Sequence, residues 1–132
     1  MQPNELAPNY HVSGQISPDD LPAIAAAGIK TVICNRPDME VPPAVQAAAM
    51  RTAVEAAGMS FVENPMGQGM PSPEQIAAQT APGPVAAYCA SGTRSTVLWA
   101  LSQVGTRDAD EILERTAAAG YPLEGLRPLL SR

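Results

Sequence analysis

The chain has 132 residues and a net charge of −5, a length that fits one domain over residues 1–132 with a core of its own. The acidic balance argues against nucleic acid or an anionic membrane surface as the main partner. Two cysteines are too few for a disulfide scaffold, and no apolar run reaches the length of a membrane span. We therefore expect a soluble protein of a reducing, cytoplasmic compartment.

Segments with strand character alternate with segments with helix character along the chain. Strands are predicted over residues 10–16 (an edge strand or the start of a hairpin), 29–34, 59–64 and 85–89. Helices are predicted over residues 21–27, 44–57, 73–80, 95–104 and 108–119. This alternation predicts a three-layer α/β domain in which helices flank a mainly parallel central sheet.

The most informative stretch is residues 85–101, in which a strand, a short loop and a helix follow one another. Cys89 lies at the end of the strand, and backbone N–H groups and the helix dipole favour an anion in such a loop. Arg94 adds a permanent charge with a forked set of donors. We therefore expect Cys89 to be a thiolate near neutral pH, with Ser95 donating a hydrogen bond to it. The alternative is a buried core cysteine with an incidental arginine nearby.

Charged residues follow the predicted strand 29–34. Arg36 comes before Pro37, and Asp38 and Glu40 lie between Pro37 and Pro42. The carboxyl ends of strands in α/β sheets are where ligands bind. These three side chains therefore either face the Cys89 loop or lie in a solvated turn.

Three further features are ambiguous. Cys34 is either a core residue or a resolving thiol for Cys89, and the core interpretation is favoured. His11, the only histidine, is more typical of a partly buried strand residue than of a ligand, so we expect neither a metal site nor a cofactor. Residues 65–73 form an uncharged loop that borders the site or closes over it.

Three segments carry a resemblance to a known family: YHVSGQ at 10–15, VICNRPD at 32–38 and YCASGTRS at 88–95. Together they resemble the bacterial beta-lactamase hydrolase-like proteins, in their phosphatase-like domain (DUF442). The resemblance spans nearly the whole chain and implies the fold of dual-specificity protein tyrosine phosphatases. Some such domains are fused or genetically linked to sulfide-handling enzymes or are labelled sulfur transferases, which makes sulfide-oxidation enzymes expected partners.

The loop is shorter than the phosphatase signature that it resembles. Four residues separate Cys89 from Arg94, whereas the phosphatase signature has five. Rhodaneses, which have a separate fold, also use four, in a cradle that suits a sulfur atom on the cysteine. The loop is therefore similar to a rhodanese loop on a phosphatase-like frame.

The second departure from the phosphatase pattern concerns the general acid. These enzymes resemble one another in having an Asp on a loop that protonates the leaving oxygen. Between Phe61 and Gln75 this chain has no Asp, only Glu63 and Glu74, so the candidate acids are Asp38, from another loop, and Glu63. Transfer of a sulfane sulfur to a thiolate depends much less on a proton donor than expulsion of an alkoxide does. The shorter loop and the missing Asp therefore both favour sulfur transfer.

We therefore expect an enzyme in which Cys89 takes a sulfane sulfur from a small-molecule donor, becomes a persulfide and passes the sulfur to a thiol acceptor. The alternative is hydrolysis of a phosphate ester through a phosphocysteine, and a second alternative is a non-catalytic oxyanion-binding module. The expected catalytic residues are Cys89, Arg94, Ser95 and Asp38, and the expected oxyanion-binding residues are Ala90, Ser91, Gly92, Thr93 and Arg36.

Overall fold

The computed structural model describes residues 4–67 and 69–131, and a five-stranded sheet lies at its centre. The strands are β1 (Asn4–Ala7), β2 (Tyr10–Ser13), β3 (Thr31–Cys34), β4 (Ser60–Glu63) and β5 (Val85–Tyr88). The helices are α1 (Leu21–Ala26), α2 (Ala47–Ala56), α3 (Pro73–Ala78), α4 (Thr93–Ser102), α5 (Ala109–Ala118) and α6 (Arg127–Leu130).

The sheet is parallel except at one edge. Its strand order is β1-β2-β5-β3-β4, and only the pair β1–β2 is antiparallel. Residues 10–13 do form a strand of a hairpin, but β2 is its second strand, so both the predicted hairpin start and the edge position are wrong, because β1 precedes β2 and covers that side of it. The carboxyl ends of β2, β5, β3 and β4 consequently meet at one end of the sheet, where parallel α/β sheets bind ligands.

Helices cover both faces of the sheet. On one face α1 and α2 contribute Leu21, Ile24, Met50 and Val54 to a buried cluster with strand residues such as Phe61 and Tyr88. On the other face α4, α5 and α6 pack Trp99, Ala100, Ile112 and Leu130 against Val12, Ile33 and Ala87. This confirms the predicted three-layer α/β architecture, with a mainly parallel sheet between helical layers.

Two helix boundaries differ from the sequence prediction for local reasons. Helix α2 begins at Ala47 rather than at residue 44, because Pro43–Val45 forms a separate 3-10 turn and Gln46 has extended backbone angles. Helix α4 begins at Thr93, two residues before the predicted start, so its first turn is part of the Cys89 loop. Within residues 4–67 and 69–131, no helix has the length and apolar character that crossing a membrane requires.

Candidate active site

Buried amide side chains hold the carboxyl ends of β3 and β4 in place. Asn35 donates from Nδ2 to Gln79 Oε1 at 2.8 Å, and Gln79 donates from Nε2 back to Asn35 Oδ1 at 2.8 Å. Asn64 donates to the same Gln79 oxygen at 2.9 Å. Since buried amides are stable only when their hydrogen bonds are made, this network ties the segments that follow β3 and β4 to the end of α3. No motif in the sequence indicates this network.

The Cys89 loop connects β5 to α4. Cys89 is fully buried, its N–H donates to the Ser13 carbonyl at 3.3 Å, and its Sγ accepts a hydrogen bond from the Gly92 N–H at 3.1 Å. Gly92 has φ +97°, a conformation that side chains other than hydrogen strongly disfavour, and Thr93 begins the helix immediately afterwards. The chain thus curls around the sulfur before the helix starts.

The surroundings of Cys89 favour its thiolate. Burial opposes ionisation, but hydrogen bonds from the backbone of Ser95, Ser91 and Gly92 and from the Ser95 hydroxyl together lower the pKa of Cys89 below its ordinary value. The Ser95 Oγ is buried and its geometry falls short of a fully formed hydrogen bond to any described residue. A hydroxyl without another partner can turn toward the sulfur, so Ser95 lies where the sequence prediction requires it.

Arg94 is held in a defined orientation by two acceptors. Its Nη1 and Nη2 donate to the two carboxylate oxygens of Glu40 at 2.9 and 2.8 Å, and Nη1 also donates to the Met66 carbonyl at 2.9 Å. Three of the five guanidinium N–H groups are thereby used, and among the described residues only the Cys89 thiol is a further hydrogen-bonding partner of the guanidinium, which leaves the neighbouring N–H groups on Nε and Nη2 facing the site. This pair forms a fork suited to an oxyanion. The Glu40 hydrogen bonds and, more weakly, the Cys89 sulfur raise the pKa of Arg94.

Glu40 brings a second arginine to the site. Arg36 donates from Nε to Glu40 Oε1 at 3.2 Å and from Nη1 to Gln15 Oε1 at 3.3 Å. Glu40 therefore extends to Arg94 at the end of the Cys89 loop, and Arg36 lies beside it through their shared carboxylate. The hydrogen bonds from Arg94, followed by those from Arg36, lower the pKa of Glu40, so this carboxylate stays ionised at neutral pH.

Asp38 and Cys34 have other surroundings. The Asp38 carboxylate accepts a 2.7 Å hydrogen bond from the Ala47 N–H at the start of α2. Cys34 lies in the core cluster beneath α1 and α2, whereas the Ser95 that borders Cys89 belongs to α4 on the opposite face. Burial raises the pKa of Cys34. The core interpretation of Cys34 therefore agrees with the structure.

The outer side of the loop makes its own contacts. The Thr93 N–H donates to Ser91 Oγ at 3.4 Å, so it points away from the sulfur. The Ala90 carbonyl accepts from the Gln15 N–H at 3.4 Å. The Ser91 carbonyl accepts from the Tyr121 hydroxyl at 3.0 Å. Tyr121 was not among the predicted site residues, since nothing in its local sequence connects it to a loop 30 residues earlier.

A parallel sheet with a cysteine loop leading into a helix, and an arginine fork beside the thiol, defines the class of cysteine-based, phosphatase-like domains. The family model described as beta-lactamase hydrolase-like protein, phosphatase-like domain, matches residues 4–106. The chain belongs to this family. This confirms the resemblance seen in the sequence.

Known relatives agree with this assignment. The chain is 33% identical over 119 residues to a beta-lactamase hydrolase-like protein of Xylella fastidiosa, a match that covers 85% of this chain and 28% of that protein. A relative of the same description from Agrobacterium fabrum is 33% identical over 97 residues, which cover 70% of this chain and 22% of that protein. The chain thus spans less than a third of the length of these relatives.

Solved structures give the same fold. A proposed phosphatase from Neisseria meningitidis superposes with a TM-score of 0.81 at 34% identity, covering 96% of this chain and 94% of that one. A proposed phosphatase (DUF442) from Shewanella putrefaciens has a TM-score of 0.68 at 20% identity, covering 90% and 93%. These relatives favour the phosphatase alternative and give the predicted sulfur transfer no support.

Proposed function

We propose that this domain hydrolyses small phosphoric monoesters or anhydrides by covalent catalysis at Cys89. The Cys89 thiolate attacks phosphorus, the bond from phosphorus to the leaving oxygen breaks, and a phosphocysteine forms. Water then attacks the phosphocysteine, which releases inorganic phosphate and returns the thiolate. The observation that carries this proposal is the juxtaposition of the Cys89 sulfur with the Nε–Nη2 fork of Arg94.

Arg94 supplies the charge that the transferred phosphoryl group needs. Its Nε–Nη2 fork fits two phosphoryl oxygens, while Glu40 and Met66 hold the rest of the guanidinium still. Ser95 then stabilises the thiolate when it leaves the phosphocysteine. Arg36, which shares Glu40 with Arg94, adds positive charge that attracts an anionic substrate to this edge of the sheet.

The carboxylates around the site favour substrates with good leaving groups. Arg94 keeps Glu40 ionised, and the Asp38 carboxylate is engaged at the start of α2. Residues 64–73 contain neither Asp nor Glu. Aryl phosphates, acyl phosphates and phosphoanhydrides lose their leaving group without a proton donor, so we propose these as the substrate class rather than alkyl phosphates.

Sulfur transfer is the second candidate because of one observation, the four residues between Cys89 and Arg94. In that reaction the Cys89 thiolate attacks the outer sulfur of thiosulfate, the S–S bond breaks, and sulfite leaves from a Cys89 persulfide. A thiolate or cyanide then accepts the sulfur. The cytoplasmic location, the sulfide-oxidation partners and the small-molecule donors remain predictions from the sequence.

One pair of assays separates the candidates. Purified protein and its Cys89→Ser variant are compared for release of p-nitrophenol from p-nitrophenyl phosphate and, separately, for mass gain after exposure to thiosulfate. Turnover that is lost in Cys89→Ser, without a stable sulfur adduct, supports hydrolysis. A gain of one sulfur atom on the wild type alone, reversed by cyanide, overturns it in favour of sulfur transfer. If neither p-nitrophenol release nor a sulfur adduct is observed, the result supports the non-catalytic oxyanion-binding module.

A further inference from the structure

Tyr121 links a distant part of the fold to the Cys89 loop. It follows α5, its N–H donates to the Thr116 carbonyl at 2.8 Å, and its ring is buried in the core cluster beneath α4 and α5. Its hydroxyl donates to the Ser91 carbonyl at 3.0 Å and accepts from Asn4 Nδ2 at 3.1 Å. Both the ring and the hydroxyl are therefore fixed, and Tyr121 lies outside the residues 4–106 that the family model matches.

The peptide between Ser91 and Gly92 joins Tyr121 to the thiol. A trans peptide is planar, so its C=O and N–H point in opposite directions. Tyr121 binds the carbonyl on one side, and the Gly92 N–H donates to Cys89 Sγ on the other at 3.1 Å. One rigid plane thus connects the hydroxyl of Tyr121 to the sulfur of Cys89.

Gly92 is required for this contact. A Cβ at this position would lie 2.1 Å from the Tyr121 hydroxyl oxygen, and its backbone has φ +97°. Glycine on either side of a peptide also permits the plane to rotate, because glycine tolerates both signs of φ. Rotation by half a turn would direct the Ser91 carbonyl oxygen at the sulfur, where its partial negative charge would repel a thiolate.

We propose that Tyr121 is a positioning residue, whose hydroxyl holds the Ser91–Gly92 peptide in the orientation that directs the Gly92 N–H at the Cys89 sulfur. The role rests on the Cys89 chemistry of the proposed function, and it applies equally to hydrolysis and to sulfur transfer. Without the hydroxyl the peptide samples both orientations, and the thiolate loses part of its stabilisation.

The test measures the thiol itself, without a substrate. Wild type and Tyr121→Phe are alkylated with iodoacetamide from pH 5 to 10, and the rate at Cys89 is read by mass spectrometry of tryptic peptides. Cleavage after Arg51 places Cys34 and Cys89 on different peptides. We expect the apparent pKa of Cys89 to rise by about half to one unit in Tyr121→Phe, which slows alkylation about three- to tenfold at pH values below the apparent pKa of both proteins.

Tyr10→Phe is the matched control. It also removes a hydroxyl from a tyrosine packed in the same core, one that donates to the Gln79 carbonyl at 2.8 Å. This variant should keep the wild-type pH profile at Cys89. Asn4→Ala, which removes the donor to the Tyr121 hydroxyl, should shift the profile in the same direction as Tyr121→Phe by a smaller amount, and it provides the test if Tyr121→Phe does not fold.

An unchanged profile in folded Tyr121→Phe, or an equal shift in Tyr10→Phe, overturns the positioning role. For a Tyr121→Phe variant that does not fold, an unchanged profile in Asn4→Ala has the same consequence. The alkylation rate does not depend on any turnover, so a protein without phosphatase activity leaves this result intact. The positioning role of Tyr121 and the proposed phosphatase activity can therefore each be refuted without refuting the other.

Discussion

Replacing Glu40 by Gln tests whether the carboxylate orients Arg94 or competes with the substrate for it. Gln keeps the size of Glu40 but presents one acceptor oxygen, so one of the two hydrogen bonds at 2.8 and 2.9 Å is lost and an NH2 group faces Arg94 instead. Glu40 accepts one N–H from each of the two terminal nitrogens and leaves the N–H on Nε and the second N–H on Nη2 for the substrate. We therefore expect that Glu40 orients Arg94 and that Glu40→Gln weakens catalysis.

The structure sets the expected size of this effect. A hydrogen bond between charged groups contributes about 1.5–3 kcal/mol. The side chains of Arg94 and Glu40 are 21% and 30% exposed, so screening by solvent reduces this contribution. A loss of about 1–2 kcal/mol in transition-state stabilisation corresponds to a decrease in kcat/KM of about 5- to 30-fold.

The assay is the kcat/KM for p-nitrophenyl phosphate, with Glu111→Gln as control. Glu111 also accepts hydrogen bonds from two arginines, Arg107 and Arg115, but its ion pairs lie on α5 and the preceding turn, where they make no contact with the Cys89 loop. Glu111→Gln should leave kcat/KM unchanged. An unchanged or increased kcat/KM in Glu40→Gln would refute the reasoning, because it would mean that Glu40 obstructs the fork rather than orienting it.

Three further measurements probe the thiols, the core and the substrate class. In the folded protein at pH 7, iodoacetamide should modify Cys89 and spare Cys34 until urea unfolds the chain. The reason is that folding lowers the pKa of Cys89 and raises the pKa of Cys34. The alkylation rate at Cys89 should rise with pH and level off below the ordinary thiol pKa of about 8.5. Gln79→Met should lower the free energy of unfolding by about 2–3 kcal/mol, measured by urea titration, because it removes one hydrogen bond from the buried amide nitrogen of each of Asn35 and Asn64 and the donor to the Asn35 carbonyl oxygen. Across a series of aryl phosphates, log kcat/KM should fall steeply as the leaving-group pKa rises, and a flat dependence would point to a general acid.

The Cys89 loop could be predicted because its determinants are local. The strand, the turn at Gly92 and the helix lie within residues 85–101, where apolar periodicity and a glycine indicate the backbone path. The alternation of strands and helices likewise predicted the parallel sheet, and a parallel sheet brings strand ends together. That topology put Arg36 at the same end of the sheet as the loop, but it left open whether the side chain faces the loop or solvent.

The contacts that orient the site could not be predicted in the same way. Glu40 and Arg94 are 54 residues apart, and their hydrogen bonds depend on the 3-10 turns after β3, which no periodic pattern indicates. Asp38 and Glu40 are chemically equivalent in the sequence. The structure separates them, because Asp38 accepts from Ala47 at the start of α2 while Glu40 extends toward Arg94.

The bond between Asn4 and Tyr121 spans 117 residues of sequence. Contacts of such separation close a large loop of chain and tend to form late in folding. If Tyr121 holds the Ser91–Gly92 peptide as proposed, a chain in which this contact has not formed should carry Cys89 with a pKa closer to that of an ordinary thiol, and therefore less reactive toward oxidants at neutral pH. The activation of the nucleophile thus depends on contacts between residues far apart in sequence, so that its reactivity requires the closed fold.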